Sequence, residues 1–503
     1  MALPAAGSAN PPLTKDAHSH AHALPAAGSA NPPLSALVRP PIHAGGLAGF
    51  GPGELAALVR AGLLSPVELT EAALAAIGTA DRTLNAFVLV DGDRAVEAAR
   101  RQAGRIAAGE DPGPLAGVPV AVKDLEDVAG LRTTHGDPAR AGAPPAVRDS
   151  LQVARLRAAG AIVVGKTNTA AYGWTSETGN QLFGPTRNPW APARTPGGSS
   201  GGSAAAVTAG MVPLATGSDG GGSIRIPASC CALAGFKPTT GIVPTGDDEP
   251  PPWGHLSTRG VLAARFADVA LALDVVAGPS PLDAMSLPAP GSFADAVAGA
   301  GRLDGLRIAW APTLGYATPT PPVLAACRSA VKALSGLGAR VDQLDEVLPA
   351  DPVGTWLTLV TAGIRRDAGR AGPDLDAPDR FGKGLTALLR RGADTTAAEH
   401  LAALDACHAV TLALARVWER FDVLACPVMA DIAPPIGGRS VLGPGWVQYS
   451  YVFNLAGCPA ASVPAGLADA DGDRVPVGLQ LAAPRLADAN LMRVAAALEA
   501  ALA

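Results

Sequence analysis

Aromatic residues are scarce in this sequence: Phe, Trp and Tyr together make up 4% of its 503 residues. Packing must therefore rest on Leu, Val and Ala, and 48% hydrophobic content supplies enough of them for a sizeable core. Charge is sparse as well, at 17% of residues, with a formal net charge of only −5. No basic stripe interleaved with aromatics occurs, which excludes the footprint of a nucleic-acid binder. No apolar run reads as long enough to span a bilayer, and the first residues lack a basic stretch followed by an apolar one. Six cysteines are present. None forms a CxxC pair and most sit among apolar neighbours, so they read as reduced core thiols of a cytoplasmic protein. Neither HExxH nor a Cys/His cluster is present, so the chain offers no recognisable zinc site.

What is present begins with a duplication. ALPAAGSANPPL occupies residues 2–13 and recurs at 23–34, with TKDAHSHAH between the copies. Pro, Ala, Gly, Ser and Asn without helical or strand periodicity predict a disordered, low-complexity tail over residues 1–44. The remainder, 45–503, reads as one large domain.

Helical text starts at residues 53–64. Ser65, Pro66 and Glu68 then supply an N-cap, a first-turn proline and a capping-box acid for a second helix. Residues 85–91 read as a strand and the following arginine-rich segment as a helix. GVPVAVKD, residues 117–124, reads as a buried strand ending at Lys123. Helix then strand follow at 150–159 and 161–164. The alternation continues with a helix over 266–276, a strand at 306–309, a helix at 322–337 and a strand at 340–343. VLACPV and GLQLAA near the end complete it. The expected fold is α/β, a single α/β/α domain around a central mixed sheet.

GAIVVGKT, residues 160–167, matches the phosphate-loop pattern GxxxxGK[ST] letter for letter. Its context does not. The four residues between the glycines are themselves strand-forming, and a helix rather than a strand precedes Gly160.

Two segments concentrate glycine and serine: TPGGSSGGSAAA from Thr195 and GSDGGGSIRIP from Gly217. Glycine is entropically costly to order but lets backbone N–H groups approach a substrate closely. Acyl-group hydrolysis needs a nucleophile, a base and donors aimed at the oxyanion. His43, His135, His255, His400 and His408 lie outside any nucleophile-elbow setting, and His135, in TTHGDP, reads as a structural loop residue. Lysine remains: at the end of an apolar strand, Lys123 would be held neutral by burial and able to act as a base.

GVPVAVKD, GGSSGGSAAAVTAG, TGSDGGGSIRIPASCCALAGFKPTTG and FNLAGCPAASVPAG together resemble the amidase signature family of amide and carbamate hydrolases, from about residue 50 to the C-terminus. The resemblance implies Ser223 as nucleophile, Ser199 as a bridging serine in a cis conformation, and Lys123 as terminal base. It also implies the backbone amides of Gly220, Gly221, Gly222 and Ser223 as the oxyanion hole, braced by Asp219 and Arg225. It implies an acyl-enzyme and no metal or organic cofactor. The segment RGVLAARFADVA departs from the family pattern: Val261 replaces proline and Ala264 stands where arginine is usual, putting a helix-start contact in doubt.

Substrate walls are expected from residues 172–183, 250–255, the segment around 356–384, and 446–453. Tyr172, Trp174, Trp253, Trp446 and Phe453, with Trp356, suit a bulky apolar or aryl amide or carbamate. With the bond type that the resemblance implies, these aromatics point to an aryl acylamidase or urethanase acting on a small molecule, and the lack of a spanning run to no membrane partner. A glutamine-hydrolysing component of a tRNA-dependent amidotransferase is the alternative, and a homodimer the default assembly.

Overall fold

A computed structural model describes residues 47–245, 253–438 and 447–503. The duplicated tail and residues 250–252 of the expected substrate wall lie outside the described residues.

The first helices form where the sequence caps them. α1 (Pro52–Arg60) and α2 (Pro66–Leu84) carry proline in the first turn, and Ser65 and Glu68 complete a capping box at α2. β1 (Phe87–Val90) and α3 (Gly92–Ala107) precede β2 (Pro119–Lys123), whose five residues are all buried. α4 (Leu151–Ala158) leads into β3 (Ile162–Thr167), so the phosphate-loop look-alike is strand rather than loop. Two short strands, β4 (Gly179–Asn180) and β5 (Gly184–Pro185), pair apart from the rest. Then come α5 (Gly201–Thr208), β6 (Leu214–Asp219), α6 (Arg225–Cys231), β7 (Ala234–Lys237), β8 (Thr258–Ala263) and α7 (Phe266–Val276).

The second half supplies α8 (Phe293–Ala298), β9 (Arg307–Trp310), α9 (Pro321–Gly336) and β10 (Arg340–Gln343). Three long helices follow: α10 (Val353–Arg370), α11 (Pro378–Asp394) and α12 (Ala397–Trp418). β11 (Val423–Pro427), α13 (Val452–Leu455), β12 (Ala460–Ala470), β13 (Asp473–Ala482) and α14 (Asp488–Leu502) close the chain.

Among the described residues, eleven strands form one sheet in the order β1-β3-β2-β6-β8-β7-β12-β13-β11-β9-β10. β3, β2 and β6 run parallel, as do β11, β9 and β10, while the remaining pairs are antiparallel. The sheet is therefore mixed, with apolar clusters packed beneath the helices. All six cysteines are buried and unpaired.

Two local expectations are revised. α7 does receive a helix-start contact: the Phe266 N–H donates to the Glu499 carboxylate of α14 at 3.1 and 3.2 Å, and Arg265 pairs with Asp268. The expectation that no apolar run reaches bilayer length is also corrected. α12 is 22 residues long, with a mean hydropathy of 1.3 over its most apolar window. Alanine and leucine raise that value, and its Ala403, Cys407, Val410, Leu414 and Val417 are buried within the protein.

Candidate active site

β2 and β6 are adjacent and parallel, so their carboxyl ends open on the same side, where α/β sheets place their ligands. Lys123 is the last residue of β2 and Asp219 the last of β6. The two glycine-rich turns follow the same end: Ser199 lies just before α5, and Ser223 lies between β6 and α6.

Lys123 is fully buried. Its Nζ lies 2.8 Å from Ser199 Oγ, 2.8 Å from Ser200 Oγ and 3.0 Å from Ser218 Oγ. Burial draws its pKa down to about 7, opposed by the nearby carboxylates of Glu126 and Asp219. An amine held there is neutral in a large fraction of molecules at neutral pH, as a base requires. The Gly198–Ser199 peptide is cis. Ser200 N–H donates to Ser223 O at 3.3 Å, fastening the two serine turns together. Ser223 Oγ makes no hydrogen bond to another described residue; Ser223 instead lines a cavity.

The turn holding Ser223 is shaped by one buried cluster. Arg225 meets Asp219 through two parallel bonds, Nε to Oδ2 at 2.9 Å and Nη2 to Oδ1 at 2.8 Å. Its other donors reach Ser450 O, Gln480 Oε1 and Asn454 Oδ1 at 2.6 to 2.8 Å. Both charges are removed from water, and the full set of partners is what makes this tolerable. Burial pushes the Asp219 carboxyl upward, but the Arg225 charge and hydrogen bonds, with Lys237 and Asn454, bring it below the ordinary range.

Asp219 Oδ1 also accepts the Gly222 N–H at 2.7 Å. Of the four amides expected to face an oxyanion, Gly222 is therefore engaged internally. Those of Gly220, Gly221 and Ser223 donate to no other described residue. The glycines are required by contact. A Cβ on Gly220 would lie 2.2 Å from the Trp253 ring, one on Gly221 2.6 Å from Trp356, and one on Gly222 2.3 Å from Ser450 Oγ. Gly222 also adopts φ +126°, where a side chain is strained.

The cavity at Ser223 measures about 50 Å³. Trp174, Trp253, Trp356, Leu357 and Leu388 wall it, with Gly173, Thr175, Ser176, Gly221 and Ile226, and none of these side chains is charged. Trp356 Nε1 donates to Gly220 O at 2.8 Å, and Trp356 packs edge-on to Trp253. Trp174 and Thr175 also line an outer groove of about 320 Å³ that carries Glu177 and Phe381.

Of the expected wall residues, Trp174 and Trp253 face this cavity, while Trp446 lies outside the described residues. Phe453 is off the wall, fully buried in α13 among core residues. Tyr172 faces a second cavity: its hydroxyl donates to Asp137 Oδ2 at 2.6 Å and its ring stacks on His135. His135 is itself partly buried with φ +53°, and desolvation lowers its pKa to about 3, aided by Arg140 and Lys166. It is a neutral loop residue. Lys166, from the phosphate-loop look-alike, pairs with Asp124 at 2.9 Å in the interior.

Sequence reasoning gave no role to Ser200, Ser218, Asn454 or Gln480. All four sit in segments it had singled out, but spacing alone does not tell which hydroxyl reaches Lys123 or which amides meet Arg225.

The family model for Amidase matches residues 68–492. The chain is 36% identical to an acylamidase of Rhodococcus erythropolis, over 87% of this chain and 92% of that one. It is 38% identical to a glutamyl-tRNA(Gln) amidotransferase chain of Salinispora tropica, over 87% and 94%. Among solved structures, a bacterial aryl acylamidase of the amidase signature enzymes superposes with a TM-score of 0.84 at 30% identity, covering 90% of this chain and 96% of the other. A 6-aminohexanoate cyclic dimer hydrolase complexed with substrate gives 0.79 at 30%, covering 90% and 97%.

Proposed function

This chain belongs to the amidase signature family of hydrolases acting on amides, and on that premise we propose that it cleaves aryl acylamides, and phenyl carbamates of like shape, through Ser223, Ser199 and Lys123. One observation carries the reading: Ser223 borders an uncharged, tryptophan-walled cavity, and a buried lysine held near pKa 7 touches Ser199 beside it.

In the proposed reaction Ser223 Oγ attacks the carbonyl carbon while its proton passes to Ser199 and the Ser199 proton passes to Lys123 Nζ. The contact between the two serines closes as substrate seats, as catalytic hydrogen bonds of unliganded enzymes commonly do. The oxyanion is received by the amides of Gly220, Gly221 and Ser223. The C–N bond then breaks, and the leaving amine takes its proton from Lys123 back through Ser199. Water repeats the sequence on the acyl-enzyme, releasing the acid and restoring Ser223. The lysine ends each half-reaction neutral.

Space divides the substrate. About 50 Å³ beside Ser223 holds only a few atoms, since one water-sized group needs roughly 10–15 Å³ on this measure. A short acyl group fits there, and the aryl amine extends past Trp174 and Thr175 into the outer groove. Relatives include amidotransferase chains, so glutamine is the competing substrate. Its charged ammonium and carboxylate would meet no opposite charge beside Ser223, although Glu177 and Arg380 stand in the outer groove.

The test is a panel of short-chain anilides, phenyl carbamates, primary amides and glutamine, presented to the purified chain. Hydrolysis of an anilide by the chain alone is expected. Glutamine turnover with every anilide and carbamate left intact would overturn the reading.

A further inference from the structure

The molecule carries a second, larger cavity, of about 360 Å³, lined by Ser218, which touches Lys123. It shares no lining residue with the cavity at Ser223. The partition is thin: Tyr172 faces one cavity and its neighbour Gly173 the other. Gly173 backs directly on the relay, since a Cβ there would lie 3.2 Å from Ser199 Oγ and 3.3 Å from Leu125 of the second cavity.

Lys123 has no contact with solvent of its own. Its Nζ touches three hydroxyls, and two of these, Ser199 and Ser200, are also buried. The third is Ser218, 3.0 Å away, which is only half-buried and lines the second cavity. That cavity is polar in a way the first is not. Glu126, Asp127, Arg140, Arg259 and Arg370 border it, and such a space holds water where the tryptophan-walled one favours apolar groups.

We propose that Ser218 and the cavity behind it are the proton-exchange route of Lys123, separate from the substrate pocket. The proposal rests on the reading of Lys123 as the base. A protonated Lys123 must lose one proton before it can serve Ser199. That proton moves to Ser218 Oγ as Ser218 passes its own proton to a water or buffer base in the cavity; only N–H and O–H bonds change. The base resets while substrate fills the first cavity and keeps it dry, so exclusion of water from the acyl group does not isolate the lysine. Glu126, which lines this cavity, and Asp219 are the acidic groups that favour the ammonium form.

The route predicts a lag rather than a loss. Enzyme is loaded with a chromogenic anilide at pH 5.5, where Lys123 is protonated, then jumped to pH 8 by rapid mixing. The wild type and Ser218→Thr, which keeps the hydroxyl, should release amine without delay. Ser218→Ala should show a lag before it reaches its own steady rate, and that lag should shorten with added imidazole. A second variant covers a failure of Ser218→Ala to fold. Val147 lines the same cavity at 98% exposure, and every native cysteine is buried, so Val147→Cys can be labelled selectively. A bulky maleimide there should produce the lag with KM unchanged, and a methyl-sized thiol label should not. A folded Ser218→Ala without a lag overturns the route, as does a maleimide-plugged Val147→Cys without one should Ser218→Ala not fold. Lys123→Ala run alongside separates the two claims: if it stays inactive while no lag appears, the route fails and the base assignment stands.

Discussion

At the scale of single residues, the chemistry turns on how the protein treats two buried cations. Arg225 is given a partner for every donor and stays a fixed charge that shapes the Ser223 turn. Lys123 is given only hydroxyls within hydrogen-bonding distance, with carboxylates further off, and burial therefore wins. A base must be deprotonated to accept the serine proton, so kcat/KM for an anilide should rise with pH through about 7 and level off above it. Replacing the proposed base or nucleophile should remove that limb altogether. Lys123→Ala and Ser223→Ala should each lower kcat by at least ~10³-fold, with far-ultraviolet circular dichroism unchanged. Full activity in either variant would remove the assignment. These proposed residues were read from the glycine- and serine-rich motifs and from the strand ending in Lys123. Arg225 was legible as a brace, but its partners at 450, 454 and 480 were not, since they arrive from α13, its flank and β13.

At the scale of elements, α7 illustrates a cap supplied from far away in sequence. Its first N–H groups lack a local side-chain cap, and Glu499 of α14 accepts the Phe266 amide instead. Burial raises the Glu499 pKa from 4.5 to about 7, with Asp268 adding to the rise and the Phe266 bond and Arg265 opposing it. A carboxyl whose folded pKa lies above its unfolded value favours the fold in its protonated form. Its contribution is full below pH 4.5 and is lost as pH rises through about 7. Glu499→Gln keeps an acceptor without the charge. Its melting temperature should match the wild type at pH 4.5 and exceed it at pH 8, in thermal scans, by an amount corresponding to roughly 1–3 kcal/mol. Equal melting at both values would remove Glu499 from the account. Elements were largely legible in sequence: the capping box at Ser65 and the apolar run before Lys123 are local signals, and α2 and β2 form where they point. No element was read at residues 397–418, where α12 forms.

At the scale of the whole molecule, the sheet joins segments hundreds of residues apart, and the last helix is part of that closure. α14 packs on β12, α7, α8 and α9, burying Leu491, Met492, Val494 and Leu498 completely. Asp488, at its start, accepts from Thr239 N and Oγ1 at 2.7 and 2.6 Å. Burial of four such side chains is worth about 1.5–3 kcal/mol each. Their sum is comparable with the whole stability of a typical protein, about 5–15 kcal/mol. A chain ending before Asp488 should therefore be recovered insoluble or inactive, although no residue of the site is removed. Soluble, active truncated protein, measured by anilide turnover after gel filtration, would refute this.

The sequence by itself determined the α/β alternation and the motifs from which the reacting groups are proposed. Both are written in short-range patterns: a strand ending in lysine, glycines beside serines, caps before helices. Only the tertiary structure decided what surrounds those groups. Trp356, Leu357 and Leu388 reach Ser223 because α10 and α11 fold over the carboxyl end of β6. Tyr172 and Trp174 part company, two residues apart, because Gly173 turns between them with φ +75°. A cavity is the space left where distant elements fail to meet, and no local pattern encodes a space.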